Sequence, residues 1–261
     1  MTKLREALDR AAAEKRAALV AYLTFADPDP QASLAIVEAA CRAGADVIEL
    51  GVPFSDPSAD GPSIQRAMER ALAAGGSLAG AIDGVAELRR RGVATPIVLF
   101  GYYNPIFVMG PERFAERAAK AGVDAVLTVD LPIDELAELA RPLAAQGVSV
   151  VPLVAPTSTP DRIARIASVD PPFVYYITLT GVTGSRAAAP VDPARLSAVR
   201  TAAKAPVAVG FGIRTPDDAR RFSAIADGVV VGTALVDRAS GGPAHVAELV
   251  TALRGAMARA V

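Results

Sequence analysis

Eight short apolar runs, rich in β-branched residues, recur along the chain, and each is followed by a segment with helical spacing. The runs cover residues 18–25, 46–52, 96–102, 124–130, 148–154, 173–179, 206–212 and 228–236. Such nearly continuous apolar runs are typical of parallel strands that are buried on both faces. Alternating strands and helices require a parallel sheet with covering helices. Eight such units in 261 residues predict a closed (β/α)8 barrel, the TIM barrel.

The segment before the first run predicts an additional helix. Residues 3–15 are amphipathic, and we expect this helix to close the bottom of the barrel. The chain has no linker or low-complexity segment, so we expect residues 1–261 to form one domain. The competing fold is an open doubly wound sheet. It would normally carry a glycine-rich loop after its first strand, and residues 24–30 (TFADPDP) do not form one.

Charge and composition exclude several classes of function. The formal net charge of −1 leaves no broad basic surface for nucleic acid or an anionic membrane. No apolar run approaches the roughly 18 residues that span a bilayer, and residues 1–15 lack a secretory signal pattern, so we expect a cytoplasmic protein. One cysteine and one histidine exclude an internal disulfide, a Cys-rich metal site and a His-cluster metal site. We therefore expect no metal centre.

The second apolar run contains a glutamate, Glu49, near its C-terminal end. Strand side chains alternate between the barrel interior and the helix layer, and we place Glu49 inward, at the floor of the mouth. The structural alternative is an ion pair. None of the eight runs contains Lys or Arg, so its partner would come from a loop, with Arg186 and Arg214 as candidates. Without a cation, burial raises the pKa of a carboxyl group and suits it to proton transfer near neutral pH. This functional interpretation is favoured.

Two aspartates follow in the loop after the second strand. Asp56 and Asp60 lie among the turn-forming residues Pro53, Pro57 and Gly61. Loop aspartates usually have local roles in turns or caps, and Asp60 could cap a helix that starts around residue 63. The spacing alone does not separate these roles from a catalytic one.

Three glycine clusters end the late strands, in residues 180–186, 209–214 and 230–237. In barrels of this class, the loops after strands seven and eight often bind phosphate. Glycine allows backbone N–H groups to approach the anion, although strands also use glycine for tight packing. The clusters predict a phosphorylated substrate. Tyr102, Tyr103 and Asn104, which end the third strand, could line the mouth or contact a partner.

Taken together, the motifs resemble the tryptophan synthase alpha chain family over nearly the whole length of the chain. The matching segments are residues 49–65 (ELGVPFSDPSADGPSIQ), 101–107 (GYYNPIF), 130–132 (DLP), 180–186 (TGVTGSR), 210–213 (GFGI) and 230–236 (VVGTALV). Other phosphate-binding barrels share the glycine clusters but not the long strand-two motif. The resemblance implies a carbon–carbon lyase that splits indole-3-glycerol phosphate into indole and glyceraldehyde 3-phosphate by retro-aldol cleavage.

The resemblance also implies residue roles. The family's general acid/base corresponds to Glu49, its aspartate at the indole N–H to Asp60, and a supporting tyrosine to Tyr175. The implied apolar indole pocket comprises Tyr22, Phe100, Leu127 and Phe211. The implied phosphate ligands are backbone groups of Gly184, Gly212, Gly232 and Thr233, and Thr183 would belong to a lid. The chain departs from the family's common residues at Tyr22, Ser58 and Thr233.

A partner is implied as well. The family works with a beta chain that carries pyridoxal phosphate and joins indole to serine in a linear αββα complex, while the alpha chain needs no cofactor. The partner-facing residues would be Asp56, Pro57, Asn104, Pro105 and Phe107. Three alternatives remain open: a standalone indole-releasing lyase, a non-catalytic subunit that activates its partner, and a sugar-phosphate isomerase that acts on aminoaldose phosphates.

Overall fold

The strands form one parallel sheet. The computed structural model describes residues 2–177, 191–210 and 212–258. Within these ranges the strand order is β5-β4-β3-β2-β1-β9-β8-β7-β6, and every neighbouring pair is parallel. The strands are β1 (Ala18–Thr24), β2 (Val47–Gly51), β3 (Ile97–Gly101), β4 (Ala125–Thr128), β5 (Ser149–Val150), β6 (Leu153–Val154), β7 (Val174–Ile177), β8 (Val207–Gly210) and β9 (Gly228–Val231).

The fifth predicted strand, residues 148–154, is broken into β5 and β6. Proline has no N–H group to donate to a ladder, and Pro152 lies at the break. The two pieces pair with opposite edges of the sheet, β5 with β4 and β6 with β7. Between them, the Val151 N–H donates to the Val126 carbonyl at 2.9 Å, and the Pro152 carbonyl accepts from the Tyr175 N–H at 3.0 Å. The predicted barrel therefore closes through this broken strand, and β8 and β9 are its seventh and eighth strands.

Helices cover the outside of the sheet. Their bounds are α1 (Lys3–Ala13), α2 (Pro30–Ala43), α3 (Pro62–Ala73), α4 (Leu78–Arg90), α5 (Tyr103–Met109), α6 (Pro111–Ala121), α7 (Ala137–Ala145), α8 (Pro160–Ile166), α9 (Pro193–Ala203), α10 (Pro216–Ser223), α11 (Thr233–Ala239) and α12 (Pro243–Ala256). Seven of these helices begin with proline, at the position where its missing N–H costs little. No helix in the described ranges combines the length and apolar character that a membrane crossing requires.

Alternate residues of each strand belong to two different apolar layers, one outside the sheet and one inside the barrel. In β1, Leu19 and Leu23 pack in the outer layer, between sheet and helices, whereas Val20 and Tyr22 pack in the barrel interior. The apolar face of α1 belongs to the interior cluster and consists of Leu4, Ala7, Leu8 and Ala11. The additional N-terminal helix therefore closes the bottom of the barrel, as predicted, and leaves the C-terminal ends of the strands as the open mouth.

Candidate active site

Glu49 lies inside the barrel, near the C-terminal end of β2. It stands in register with Tyr22 on β1 and Val98 on β3, and it is fully buried. Neither of its carboxyl oxygens has a hydrogen-bond partner among the described residues. Burial raises its pKa from 4.5 to about 8. Of the two cations considered for an ion pair, Arg214 pairs with Asp237 instead, and Arg186 lies outside the described residues.

Asp60 is the second buried carboxylate at the mouth. It belongs to the β2–α3 loop (residues 52–61), and the Tyr102 hydroxyl donates a hydrogen bond of 2.8 Å to its Oδ2 atom. Burial raises the pKa of Asp60 to about 6, and the bond from Tyr102 partly opposes this shift. Helix α3 begins at Pro62 after Gly61, without a side-chain cap. The Asp60 carboxylate therefore does not cap this helix and is directed to Tyr102.

Tyr102 holds the β2–α3 loop at three points. Besides its bond to Asp60, its hydroxyl accepts a hydrogen bond of 3.0 Å from the Ala59 N–H. Its ring stacks on Phe54, with 4.8 Å between the centroids. The sequence placed Tyr102 at the mouth or at a partner surface, but not against Asp60. The available signal was an aromatic hydroxyl at the C-terminal end of the strand next to Glu49.

Two glycines make room for two tyrosine hydroxyls. A Cβ atom on Gly51 would lie 2.3 Å from the Tyr22 hydroxyl oxygen, and one on Gly210 would lie 2.0 Å from that of Tyr175. Tyr22 also meets the Phe100 ring edge to face, at 5.1 Å between centroids. Burial raises the pKa of Tyr175, and the charges of Glu49 and Asp60 raise it further. The tyrosines therefore keep their protons and form a polar rim within an apolar wall.

These side chains line one pocket at the barrel mouth. Among the residues named from the sequence, the lining includes Tyr22, Glu49, Asp60, Phe100, Tyr175, Gly212, Gly232 and Thr233. It also contains four residues that the sequence did not assign to substrate, namely Ile64, Ile213, Arg214 and Val230. The three apolar ones lie within the recognised motifs, and Arg214 directly follows the motif of residues 210–213. The pocket thus combines two carboxylates, aromatic walls and a glycine-rich end.

Four residues named from the sequence are not among the described lining. Leu127 is buried in the interior cluster, beside Phe100 in register on β4, and it faces a smaller apolar space with Val52 and Leu99. Thr183, Gly184 and Phe211 lie outside the described residues. Their assignments remain predictions.

The expected partner-facing residues lie at the rim. Asp56 is exposed and Pro57 half-buried in the β2–α3 loop, while Asn104, Pro105 and Phe107 lie on the short helix α5. On this helix, Phe107 is 61% exposed and the adjacent Val108 is 77% exposed. Two large apolar side chains exposed side by side are typical of a docking surface.

Comparisons with known proteins agree on one family. The family model described as tryptophan synthase alpha chain matches residues 8–260. The tryptophan synthase alpha chain of Nitrosococcus oceani is 45% identical over 100% of this chain and 98% of its own length. That of Geobacter sulfurreducens is 50% identical over 85% of this chain and 84% of its own.

Solved structures agree as well. A chain of Mycobacterium tuberculosis tryptophan synthase has a TM-score of 0.91 and 35% identity, covering 99% of both chains. The tryptophan synthase alpha chain of Legionella pneumophila has a TM-score of 0.87 and 34% identity, covering 98% of this chain and 97% of that one. The chain described here therefore belongs to the tryptophan synthase alpha chain family.

Proposed function

We propose that Glu49 and Asp60 carry out the family's reaction in this chain. As a tryptophan synthase alpha chain, the protein is a lyase subunit that cleaves indole-3-glycerol phosphate. The observation that carries the residue assignment is that Glu49, fully buried and without a hydrogen-bond partner among the described residues, lines the same pocket as the buried Asp60. Their pKa values of about 8 and about 6 leave Glu49 mostly protonated and Asp60 mostly ionised at pH 7.

A single carboxyl group can then complete the proton balance. Protonated Glu49 donates its proton to the indole carbon that bears the glycerol phosphate chain. The resulting Glu49 carboxylate takes the proton from the hydroxyl group on the first chain carbon. The bond between these two carbons breaks, its electron pair returns to the ring, and the aldehyde of glyceraldehyde 3-phosphate forms. Glu49 ends the cycle protonated, as it began.

Asp60 stabilises the positive charge that develops on the indole ring between these steps. Protonation of the ring carbon leaves positive charge on the ring nitrogen, and a fixed anion in a low-dielectric site stabilises it. Tyr175 lies close enough to both carboxylates for their charges to affect its pKa, which supports a role beside the reacting atoms. Tyr22 and Phe100 supply apolar wall for the indole ring, and Gly212, Gly232 and Thr233 supply backbone at the phosphate end.

We further propose that the chain docks on a beta chain carrying pyridoxal phosphate, in an αββα complex in the cytoplasm, and that it needs no cofactor of its own. The exposure of Phe107 and Val108 on α5, and of Asp56 in the β2–α3 loop, supports this surface. Phe107→Ala should weaken binding to a beta chain about tenfold or more, because exposed aromatic anchors dominate such interfaces. Unchanged affinity would remove α5 from the interface.

The test of function is the release of equal amounts of indole and glyceraldehyde 3-phosphate by the purified chain, alone and with a beta chain. Weak release alone with a large rise on adding the partner supports the coupled subunit. Full activity alone supports a standalone lyase. No release in either condition, with the beta chain nonetheless activated, supports a non-catalytic subunit and contradicts the proposal.

A further inference from the structure

Arg214 lies at the glycine-rich end of the pocket. It follows β8, the seventh strand of the barrel, and lines the pocket together with Gly212, Gly232 and Thr233. Loops after the seventh and eighth strands are where barrels of this class hold phosphate groups. Arg214 therefore belongs to a loop that binds phosphate groups in other barrels of this class.

The backbone of this segment is fixed by α10. The Asp218 carboxylate accepts hydrogen bonds from the N–H groups of Arg214 and Thr215, at 3.2 and 3.1 Å, while the Thr215 hydroxyl caps the helix. The Arg214 side chain is less constrained. It is 46% exposed, and its Nη2 atom lies 3.0 Å from Oδ2 of Asp237, which is itself 41% exposed. Water screens half-exposed ion pairs strongly, so this pair is weak enough to exchange.

A cation at this end of the pocket balances the negative charge of the carboxyl groups and of a bound phosphate. Glu49 and Asp60 bring two carboxyl groups to the lining, and among the described lining residues Arg214 alone carries a basic side chain. A phosphate monoester bears a charge of about −1.5 to −2 at pH 7. Backbone N–H groups donate hydrogen bonds but carry no net charge. A guanidinium group supplies both a charge and a planar pair of donors.

We propose that Arg214 binds the phosphate group of the substrate, exchanging its ion pair with Asp237 for one with the phosphate. This assignment rests on the proposed function, because it takes the substrate to be a phosphate monoester. It adds a charged side chain to a site otherwise built from backbone groups. Glu49 does not compete with the phosphate for Arg214. Burial raises the pKa of Glu49 to about 8, so its carboxyl group is mostly uncharged at pH 7.

The first test measures phosphate binding without catalysis. Glycerol 3-phosphate and inorganic phosphate are titrated calorimetrically into the wild-type chain, Arg214→Gln and Arg214→Lys. Loss of a charge-assisted hydrogen bond should weaken binding about 10- to 100-fold in Arg214→Gln. The loss should be intermediate in Arg214→Lys, which keeps the positive charge but not the planar pair of donors.

The matched control is Arg220→Gln, which breaks the exposed pair with Asp217 outside the pocket lining. Its affinity should stay within about twofold of the wild type. Equal affinity of Arg214→Gln and wild type would overturn the proposal.

A second variant separates phosphate binding from a bracing role. Asp237→Asn removes the competing carboxylate and leaves Arg214 in place. Exchange predicts that Asp237→Asn binds glycerol 3-phosphate as tightly as the wild type or more tightly, while Arg214→Gln binds it less tightly. If Arg214 only braced α11 through Asp237, both variants would lose affinity to the same extent, and the proposal would fail.

The kinetic test distinguishes this proposal from the proposed function. For indole-3-glycerol phosphate, Arg214→Gln should raise KM about 10- to 100-fold and change kcat little, because the phosphate is remote from the reacting carbons. For indole-3-glycerol, which lacks the phosphate, wild type and variant should have the same kcat/KM. If the wild type binds glycerol 3-phosphate through Arg214 but releases no indole, the proposed function fails and the Arg214 assignment stands. If the wild type releases indole and Arg214→Gln keeps the wild-type KM, the Arg214 assignment fails and the proposed function stands.

Discussion

The phenolic hydroxyl of Tyr102 donates a hydrogen bond of 2.8 Å to Oδ2 of Asp60 and so ties the end of β3 to the loop that follows β2. The same oxygen accepts from the Ala59 N–H, and the ring stacks on Phe54. One side chain thus fixes both the position of the Asp60 carboxylate and the path of its loop. Tyr102 is therefore a positioning residue that acts on the substrate through Asp60.

Tyr102→Phe should therefore lower activity through Asp60. Loss of the hydrogen bond removes the influence that holds the pKa of Asp60 down, so this pKa should rise above about 6. At pH 6.5 we expect about a tenfold lower kcat/KM, consistent with the loss of a hydrogen bond to a charged group. The pH profile of kcat/KM checks this, with Tyr176→Phe as the control because Tyr176 packs in the outer layer. A Tyr102→Phe profile that superimposes on that of the wild type would contradict the positioning role.

The two pKa values predict the pH profile of the wild type. Catalysis needs Asp60 ionised and Glu49 protonated, so kcat/KM should fall below about pH 6 and above about pH 8. Asp60→Asn should remove the acid limb from whatever activity remains. Indole release measured across pH 5 to 9.5 would reveal both limbs. A single plateau that extends above pH 9 would refute the role of Glu49 as the acid.

Glu49 should also make stability depend on pH. Its folded pKa of about 8 lies above the ordinary 4.5, so the folded state binds the proton more tightly than the unfolded state does. The free energy of unfolding of the wild type, relative to Glu49→Gln, should therefore decrease as the pH rises from 4.5 to about 8, by about 1.4 kcal/mol per pH unit within this window. Outside the window the difference should be flat. Urea unfolding of both proteins at pH 5, 6.5 and 8 measures it. A difference independent of pH would mean that the folded pKa of Glu49 is ordinary.

Gly210→Ala should damage the site by displacing Tyr175. The added Cβ would lie 2.0 Å from the Tyr175 hydroxyl oxygen, so the ring must move. We expect a loss of about 1–3 kcal/mol in the free energy of unfolding, as for other overpacked interiors, and a lower kcat. Gly255→Ala is the control, because a Cβ there meets nothing within 4 Å on helix α12. That variant should be stabilised by up to about 1 kcal/mol. Equal stability of the two variants would show that the barrel accommodates the methyl group at Gly210.

The sequence predicted the barrel because its strands are buried on both faces, and that burial leaves a direct trace as apolar runs. It did not predict the break of the fifth strand, although Pro152 lies within the run of residues 148–154. Proline indicates where a ladder is interrupted, but pairing of the two pieces with opposite sheet edges depends on how the barrel closes. Such closure is a property of the whole sheet.

The site was predictable to different degrees for similar reasons. Glu49 stands out because a carboxyl group interrupts an apolar run, and Asp60 stood out only within the motif of residues 49–65. The contact between Tyr102 and Asp60 depends on the path of a loop between strands, which no local pattern encodes. The sequence makes Arg214 a candidate ion-pair partner of Glu49, because sequence order does not tell which end of the mouth a loop side chain reaches.

In the proposed mechanism the Glu49 carboxyl group moves the protons of the cleavage, and the rate of indole release by Glu49→Gln tests this role. The rate is measured at pH 7 with a saturating beta chain, and Glu116→Gln, an exposed glutamate on α6, is the control. Glutamine keeps the size of the side chain but cannot exchange the proton. We expect a loss of about 100- to 10,000-fold in kcat for Glu49→Gln and none for Glu116→Gln. Indole release by Glu49→Gln at the wild-type rate would contradict this role.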